Sequence, residues 1–326
     1  MASPSLSVVV PVHNEAQHLA TTMRALLAAL DDSGFDAEII VVDDGSIDGS
    51  SDVVRGSVDG RVKLRIVAQP NLGRFEARRA GLFQAHGDYV LFLDSRVQLA
   101  PGALRFVRGR LQHAQVWNGH VYVDADNLFG DFWRLLAELA WRAYFDNPRT
   151  TSFGLAEFDR FPKGTTCFLA PRPLLESAFA QFRSHYADSR LANDDTPILR
   201  AIAAEQPIHI SPEFACVYAP RTSVRGFFSH AVHRGTVFLD GHGTPESRFF
   251  PAAVAFFPLS AALAFAALRR PTLVPAVVAG CGIAAAAYGA LAGRSHREVA
   301  VLAGVTPVYA LGHGIGMWRG AFELLR

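Results

Sequence analysis

Three polar clusters in this sequence each follow directly on an apolar, partly β-branched run. They are His13-Asn14-Glu15 after Leu6–Val12, Asp43-Asp44-Gly45-Ser46 after Glu38–Val42, and Asp94-Ser95-Arg96 after Asp88–Leu93. Carboxylates so placed can accept hydrogen bonds from a ligand's N–H and O–H groups, and an arginine beside them can pair with an anion. A further pair, Asp194-Asp195, opens a stretch of helical spacing that runs to about Ala204. Acids there suit the positive N-terminal end of a helix. They also fit a plain N-cap, just as Asp-Gly in the second cluster fits ordinary turn chemistry. The loop histidines His13 and His185 are weaker candidates for a base, since a lone loop histidine is commonly a surface group.

The clusters form one site only if the elements before them bring them to one edge. Leu6–Val12 has a buried-strand pattern, interrupted near its end by Pro11. Asn14 is placed to cap a helix from Glu15 to about Leu30. Val62–Ala68 reads as a third strand, and Arg74–His86 as a helix ended by Gly87. This alternation predicts an α/β fold with a mostly parallel sheet flanked by helices. Such sheets bind ligands at the carboxyl ends of their strands, where all three clusters fall. Further along, Val116–Val123, Gly164–Leu169 and His209–Tyr218 read as strands, and Leu128–Phe145 as an aromatic-rich helix.

The chain has 326 residues, enough for one large domain with an appendage or for two modest ones. Its three cysteines, Cys167, Cys216 and Cys281, show no metal-ligand spacing and cannot all pair, which suits a cytosolic domain. A net charge of +1 gives no ground for a nucleic-acid partner. Charge nearly vanishes beyond Arg248 within three apolar stretches, Phe249–Leu268, Thr272–Ala292 and Val299–Trp318. Each is about 20 residues long, enough to cross the hydrocarbon core as a helix. Met1–Leu6 is too short for a signal peptide, so the N-terminal domain is expected in the cytosol. Phe227–Leu239 reads as an amphipathic, basic-aromatic helix of the interfacial kind.

The same residues carry a family resemblance. Ser7-Val-Val-Val-Pro-Val-His-Asn-Glu15 resembles the first strand of the family-2, GT-A-fold inverting glycosyltransferases, and Val41-Val-Asp-Asp-Gly-Ser-Ile-Asp-Gly49 resembles their second. Asn71-Leu-Gly-Arg-Phe-Glu-Ala-Arg-Arg-Ala-Gly81 is similar to their N-x-G-x-x-x-A-R-N-x-G segment. Gly87-Asp-Tyr-Val-Leu-Phe-Leu-Asp-Ser-Arg96 is similar to the strand that carries their D-x-D. The elements occur in family order and spacing over roughly the first 240 residues.

The resemblance implies a nucleotide-diphosphate sugar donor. Pro11, His13, Glu15, Asp43, Asp44, Ser46, Asn71, Arg78, Asp94, Ser95 and Arg96 are the implied donor-binding residues, with Asp43 or Asp44 at the nucleoside and Arg78 facing the diphosphate or ribose. Asp94 matches the first acid of D-x-D, which implies a divalent metal, magnesium or manganese, bridging the phosphates. Arg96 replaces the last acid. Its guanidinium can pair with phosphate oxygens itself. Alternatively Asp94 holds the metal with phosphates, water and a later side chain, or Arg96 forms a salt bridge to Asp94. Asn193-Asp194-Asp195-Thr196-Pro-Ile-Leu-Arg200 resembles the family's E-D-x-x-L-x-x-R segment. It implies Asp195 as the general base that takes the acceptor hydroxyl's proton, with Asp194 beside it. Lys163, Gly164 and Thr165 match the turn that faces the acceptor. Phe227–Gly235 stands where the family has Q-x-x-R-W, without its glutamine and tryptophan, and Arg234 there is a candidate contact to diphosphate or acceptor.

The expected organisation is a catalytic domain over 1–225, an interfacial segment over 226–247 and a membrane anchor over 248–326. The anchor has two to three transmembrane helices; either all three stretches span, or the first two form a re-entrant pair. Arg269-Arg270 and Arg294 to Arg297 pull the orientation opposite ways under the positive-inside tendency. The expectation is a multi-pass protein of the cell membrane with its catalytic domain cytoplasmic. The acceptor implied is a lipid or lipid-linked glycan. Two other readings stand beside it: a polyprenyl-phosphate glycosyltransferase, and an inactive homologue that binds nucleotide as a scaffold.

Overall fold

The runs of Val, Ile and Leu that lead into the polar clusters form the centre of a sheet. In the computed structural model, residues 4–325 are described. The chain runs β1 (Ser5–Val12), α1 (Ala16–Asp31), β2 (Asp36–Asp44), α2 (Ser50–Ser57), β3 (Lys63–Gln69), α3 (Arg74–Phe83) and β4 (Tyr89–Leu93). There follow β5 (Val97–Leu99), α4 (Ala103–Arg108), β6 (Trp117–Val123), α5 (Leu128–Ala140), α6 (Arg142–Phe145), β7 (Thr151–Phe153), β8 (Cys167–Pro171) and α7 (Arg172–Gln181). Then come α8 (Thr196–Glu205), β9 (Ile208–Tyr218), α9 (Val224–Thr236), α10 (Phe238–His242), α11 (Phe250–Arg269), α12 (Leu273–Leu291) and α13 (His296–Glu323).

The strands lie in the order β3-β2-β1-β4-β8-β6-β9-β5, with β7 on β9. The first four are parallel, in register Val12↔Asp43 and Asp44↔Gln69. β8 pairs antiparallel with β4 and β6, and β9 pairs antiparallel with β5 and β7. The expected parallel order thus holds for the half that carries the three clusters, and the sheet as a whole is mixed. Because β1, β2 and β4 are parallel neighbours, their carboxyl ends share one edge. Val8, Val9, Val10, Ile39, Ile40, Val41 and Val42 have no exposed surface, so helices cover both faces there.

Two units emerge. One comprises the chain up to Tyr122, Ala143–Ser184 and Asp188–Ala219. The other comprises Val123–Arg142, His185–Ala187 and the chain from Pro220 onward. This differs from one contiguous domain over 1–225, because α5 packs with the C-terminal helices. In that second unit Phe132, Trp133 and Leu135 of α5 bury against Phe227 and against Val301, Leu302 and Val305 of α13. Arg134 of α5 pairs with Asp131 at 2.7 Å, Glu138 at 2.9 Å and Glu298 at 2.8 Å. The three apolar stretches are helices α11, α12 and α13, each long and apolar enough to cross a membrane.

In the first unit α3 lies directly on the sheet. Gly81 permits the close approach, since a Cβ there would overlap Val9 and crowd Val42. A Gly81→Leu substitution should lower stability by about 1–3 kcal/mol through overpacking. Thermal melting in detergent checks this, with Gly56→Ala, which faces open space in α2, as the unaffected control.

Candidate active site

The strand-end clusters meet in two adjoining networks, one at β1, β2 and β3 and one at β4. In the first, β2 ends in Asp43-Asp44, both buried. The Asp44 carboxylate accepts from Gln69 Nε2 at 2.7 Å, Leu72 N at 2.8 Å and Gly73 N at 2.9 Å. It thereby fastens the loop that enters α3. Gly73 has φ +92, a conformation that favours glycine. Asp43 accepts from Ser46 N at 2.8 Å and from Ser51 Oγ. Burial works to raise its pKa, but these hydrogen bonds more than offset that and hold it below an ordinary aspartate.

His13 bridges the same loops. Its Nδ1 lies 2.7 Å from the Asp44 carbonyl, and its Nε2 faces the amides of Asn14 at 3.0 Å and Asn71 at 3.2 Å. The carbonyl requires the proton on Nδ1, leaving Nε2 to accept. Asn14 does not cap α1. It has φ +54, and its Oδ1 accepts from Ile47 N at 2.9 Å while its own N–H donates to Ser46 Oγ at 3.0 Å. The start of α1 is satisfied from β2's loop instead, with Glu15 N donating to Ser50 Oγ and Ala16 N to Asp48 Oδ2. Pro11 is buried, and His13, Asn14 and Asn71 are exposed. The exposed polar tips over two buried aspartates leave a surface that can receive a ligand's donors and acceptors.

The second network is centred on Arg78. Its side chain has no exposed surface. It donates to Asp94 Oδ1 at 2.5 Å and forms an ion pair with Asp194. The expectation that it faces the diphosphate or ribose is corrected: α3 points it inward instead, where a guanidinium must be paired. Arg96 is corrected too. It does not bridge to Asp94; its Nε lies 2.8 Å from a carboxylate oxygen of Glu15, joining β4's end to the start of α1. Ser95 is buried and its carbonyl accepts from Thr22 Oγ1 of α1 at 2.8 Å.

Asp195 joins this network from the start of α8. Its carboxylate accepts from Thr165 N at 2.7 Å and from Thr165 Oγ1. Neither it nor Asp194 caps the helix through its side chain. Asp195 occupies the N-cap position, and the first amides there are met from two residues upstream, Asn193 Oδ1 accepting from Asp195 N at 3.1 Å and Thr196 N at 3.2 Å. Neither aspartate side chain is taken up by the helix start. Burial tends to raise the Asp195 pKa, but the Arg78 charge and the Thr165 hydrogen bonds outweigh it and hold the group below its usual value.

The turn before β8 completes the arrangement. The Thr166 carbonyl accepts from Asp94 N at 2.9 Å, tying the turn to β4. Gly164 N donates to Asn118 Oδ1 at 3.0 Å. Lys163, expected at the acceptor, turns its Nζ onto the Phe158 and Phe161 carbonyls and over the Phe158 ring at 4.2 Å. Asn118 was not singled out from the sequence; its signal is a polar residue within the otherwise apolar start of β6, and it is 3% exposed. Arg234 belongs to the other unit, where its guanidinium lies over the Trp133 ring at 5.1 Å.

Asp94 is the one acid of the Asp94-Ser95-Arg96 cluster. Among the described residues no group of three or more His, Cys, Asp or Glu is arranged to hold a metal. With one Asp94 oxygen already on Arg78 and Arg96 turned to Glu15, the side chains do not make a metal's ligand set.

The model of the family described as Glycosyl transferase family 2 matches residues 7–165, a stretch that contains both networks apart from the Asp194-Asp195 loop. An undecaprenyl-phosphate 4-deoxy-4-formamido-L-arabinose transferase of Aeromonas hydrophila is 36% identical over 110 residues, 33% of this chain and 34% of that protein. An uncharacterized glycosyltransferase of Haemophilus influenzae is 35% identical over 96 residues, 29% of this chain and 37% of that protein. The matched region thus spans about a third of the length of these relatives. Among solved structures, the mannosyltransferase PcManGT of Pyrobaculum calidifontis, in complex with GDP-Man and Mn2+, superposes with a TM-score of 0.52 at 21% identity. That match covers 100% of this chain and 88% of that one. S. aureus TarS 1-349 in complex with UDP-GlcNAc gives 0.51 at 16% identity, covering 98% and 90%. These likenesses establish the GT-A fold.

Two outcomes follow from the geometry. Arg78→Met leaves Asp94 and Asp194 without their counter-charge and should cost about 3–5 kcal/mol, with Arg78→Lys losing less; thermal melting of both variants checks this. Without nucleotide, Mn2+ titrated into the protein should stay free, as read by the aqueous Mn2+ electron-spin-resonance signal. Stoichiometric loss of that signal at micromolar protein would contradict the ligand inventory.

Proposed function

We propose that this chain, whose residues 7–165 form a glycosyl transferase family 2 domain, transfers a sugar from a nucleotide-diphosphate sugar to a hydroxyl of a membrane-associated lipid or lipid-linked glycan. The observation that carries the reading is the convergence of Asp94, Arg78, Asp194, Asp195 and Thr165 at the carboxyl end of β4. The nucleoside lies against the His13, Asn71 and Asp43-Asp44 network. The diphosphate lies toward Asp94 and Ser95. Asp195 is the general base. Its carboxylate is anionic at neutral pH, held by two hydrogen bonds from Thr165, and keeps lone pairs for an acceptor hydroxyl.

The acceptor hydroxyl donates to Asp195 as its oxygen attacks the anomeric carbon from the face opposite the departing diphosphate. The C–O bond to the acceptor forms, the C–O bond to the diphosphate breaks, and Asp195 carries the proton. The product has inverted configuration. Arg78 touches neither reactant; it is a positioning residue that holds Asp94 in place and helps to keep Asp195 charged. The apolar helices α11, α12 and α13 support an acceptor presented at a membrane and a multi-pass anchor over 248–326.

A second reading is favoured by the relatives named as undecaprenyl-phosphate transferases. A phosphate acceptor is already ionised and needs no base. Asp195→Asn separates the two, assayed with a panel of nucleotide sugars and membrane lipid extract. Under the hydroxyl reading it should lose about 10²–10⁴-fold in kcat. Unchanged turnover would reject the base and favour the phosphate acceptor. The pH profile is a second check. The depressed pKa of Asp195 keeps its charge present through neutral pH and lets it disappear only as pH falls below the 3.8 of an ordinary aspartate. Activity should therefore not fall between pH 7 and 5 on account of this group.

A further inference from the structure

The three apolar helices are alike in composition but not in their surroundings. In the most apolar stretches of α11 and α12 only 6% and 11% of residues are buried, against 28% in α13. One side of α13 is covered along its length by helices that carry charge. At its start Glu298 accepts from Arg134 of α5 at 2.8 Å. Val301, Leu302 and Val305 then pack on Phe132 and Trp133. Farther on, Gly312 faces Ala231 and Phe228 of α9, Gly316 faces the Val232 carbonyl, and Gly320 faces the Thr236 carbonyl and Tyr186. Tyr186, in the piece His185–Ala187 that belongs to the same unit as α9 and α13, donates its hydroxyl to the Thr236 carbonyl at 2.5 Å.

Both ends of α13 therefore sit beside polar chain. Glu298 and Gly320 are about 33 Å apart along the helix at 1.5 Å per residue, the thickness of a hydrocarbon core. If α13 crossed a bilayer, α9 would accompany it at that depth, with its Arg225 and Arg234 exposed. Arginines facing lipid at that depth are strongly disfavoured. The uncovered side of α13 carries Val308, Leu311, Ile315 and Phe322, all exposed, with the exposed Arg319 on the same face, whose long side chain can reach headgroups from a helix lying at the boundary. This spacing is a single helical face.

We propose that α13 does not cross the membrane but lies along its surface, with the Val308, Leu311, Ile315 and Phe322 stripe in the acyl–headgroup boundary, and that the α11–α12 hairpin alone spans. The occupant of the stripe is lipid. It is continuous with α11 and α12, which are exposed and apolar nearly all round. Residues after α13 then lie on the same side as the α/β unit. The inference does not rest on sugar transfer, and its test reads no activity.

The test uses single cysteines on a Cys281→Ala background, since Cys167 and Cys216 are buried. Phe83→Cys reports the α/β unit, Thr272→Cys the turn between α11 and α12, and Leu325→Cys the end of α13. In sealed vesicles, a membrane-impermeant maleimide should label Phe83→Cys and Leu325→Cys from one side and Thr272→Cys only from the other. Labelling of Leu325→Cys and Phe83→Cys from opposite sides would overturn the proposal. So would labelling of all three from one side, which would mean that the hairpin does not cross. A nitroxide on Ile315→Cys should report a depth near the headgroups. A mid-bilayer depth would overturn the surface placement.

Discussion

A guanidinium with no exposed surface sits at the centre of the α/β unit, and much of the site is arranged around the need to pair it. Taking a charge out of water is tolerable only with partners in good geometry. Arg78 finds them in Asp94 at the end of β4 and Asp194 before α8. These carboxylates come from chain segments about 100 residues apart. The pairing fixes α3, the β4 edge and the loop before α8 relative to one another. Asp195 gains from the same charge without touching it, which is why a half-buried carboxylate stays ionised there. The close seat of α3 on the sheet at Gly81 is what lets Arg78 reach this position.

The carboxyl ends of β1 and β2 follow a different logic. Asp43 and Asp44 are turn residues that also lie at the sheet's carboxyl edge. Their carboxylates close the loops through Ser46, Ser51, Leu72 and Gly73, so the exposed amides of Asn14 and Asn71 and the ring of His13 are held by a buried layer. Turn chemistry and site chemistry are here successive layers of one structure. A mobile loop with the same residues would lose entropy on binding that this one has lost on folding.

The C-terminal helices answer to solvent rather than to pairing. α11 and α12 are mostly exposed and meet protein chiefly where they touch α13, α12 through Gly282 and Gly289 and α11 through Phe256 and Phe257. α13 is also covered by α9, and its glycines let that helix approach so closely that backbone meets backbone. The Arg134 network at its first turn, with a capping box from Ser295 and Glu298, anchors that end in polar surroundings. Hydropathy alone scores α13 with its neighbours because it averages over a helix whose two faces meet different media.

The sequence by itself determined what is local. Apolar periodicity placed β1 to β4 and the helices α1 and α3, though not α2, and parallel alternation placed His13, Asp43 and Asp94 at one edge. The spacing of Asn193-Asp194-Asp195 before Pro197 marked a helix start. Only the tertiary structure decided how the charges pair. That Arg96 goes to Glu15, Arg78 to Asp94 and Asp194, and the α8 cap to Asn193 depends on which side chains are buried together. Several carboxylates and arginines were compatible with each role, and only the desolvation at each position chose between them. The same holds for α5, which reads as one more helix of the N-terminal domain until its Phe132 and Trp133 are seen against α13. Sequence records which residues are apolar, but the surface that buries them is supplied by distant chain.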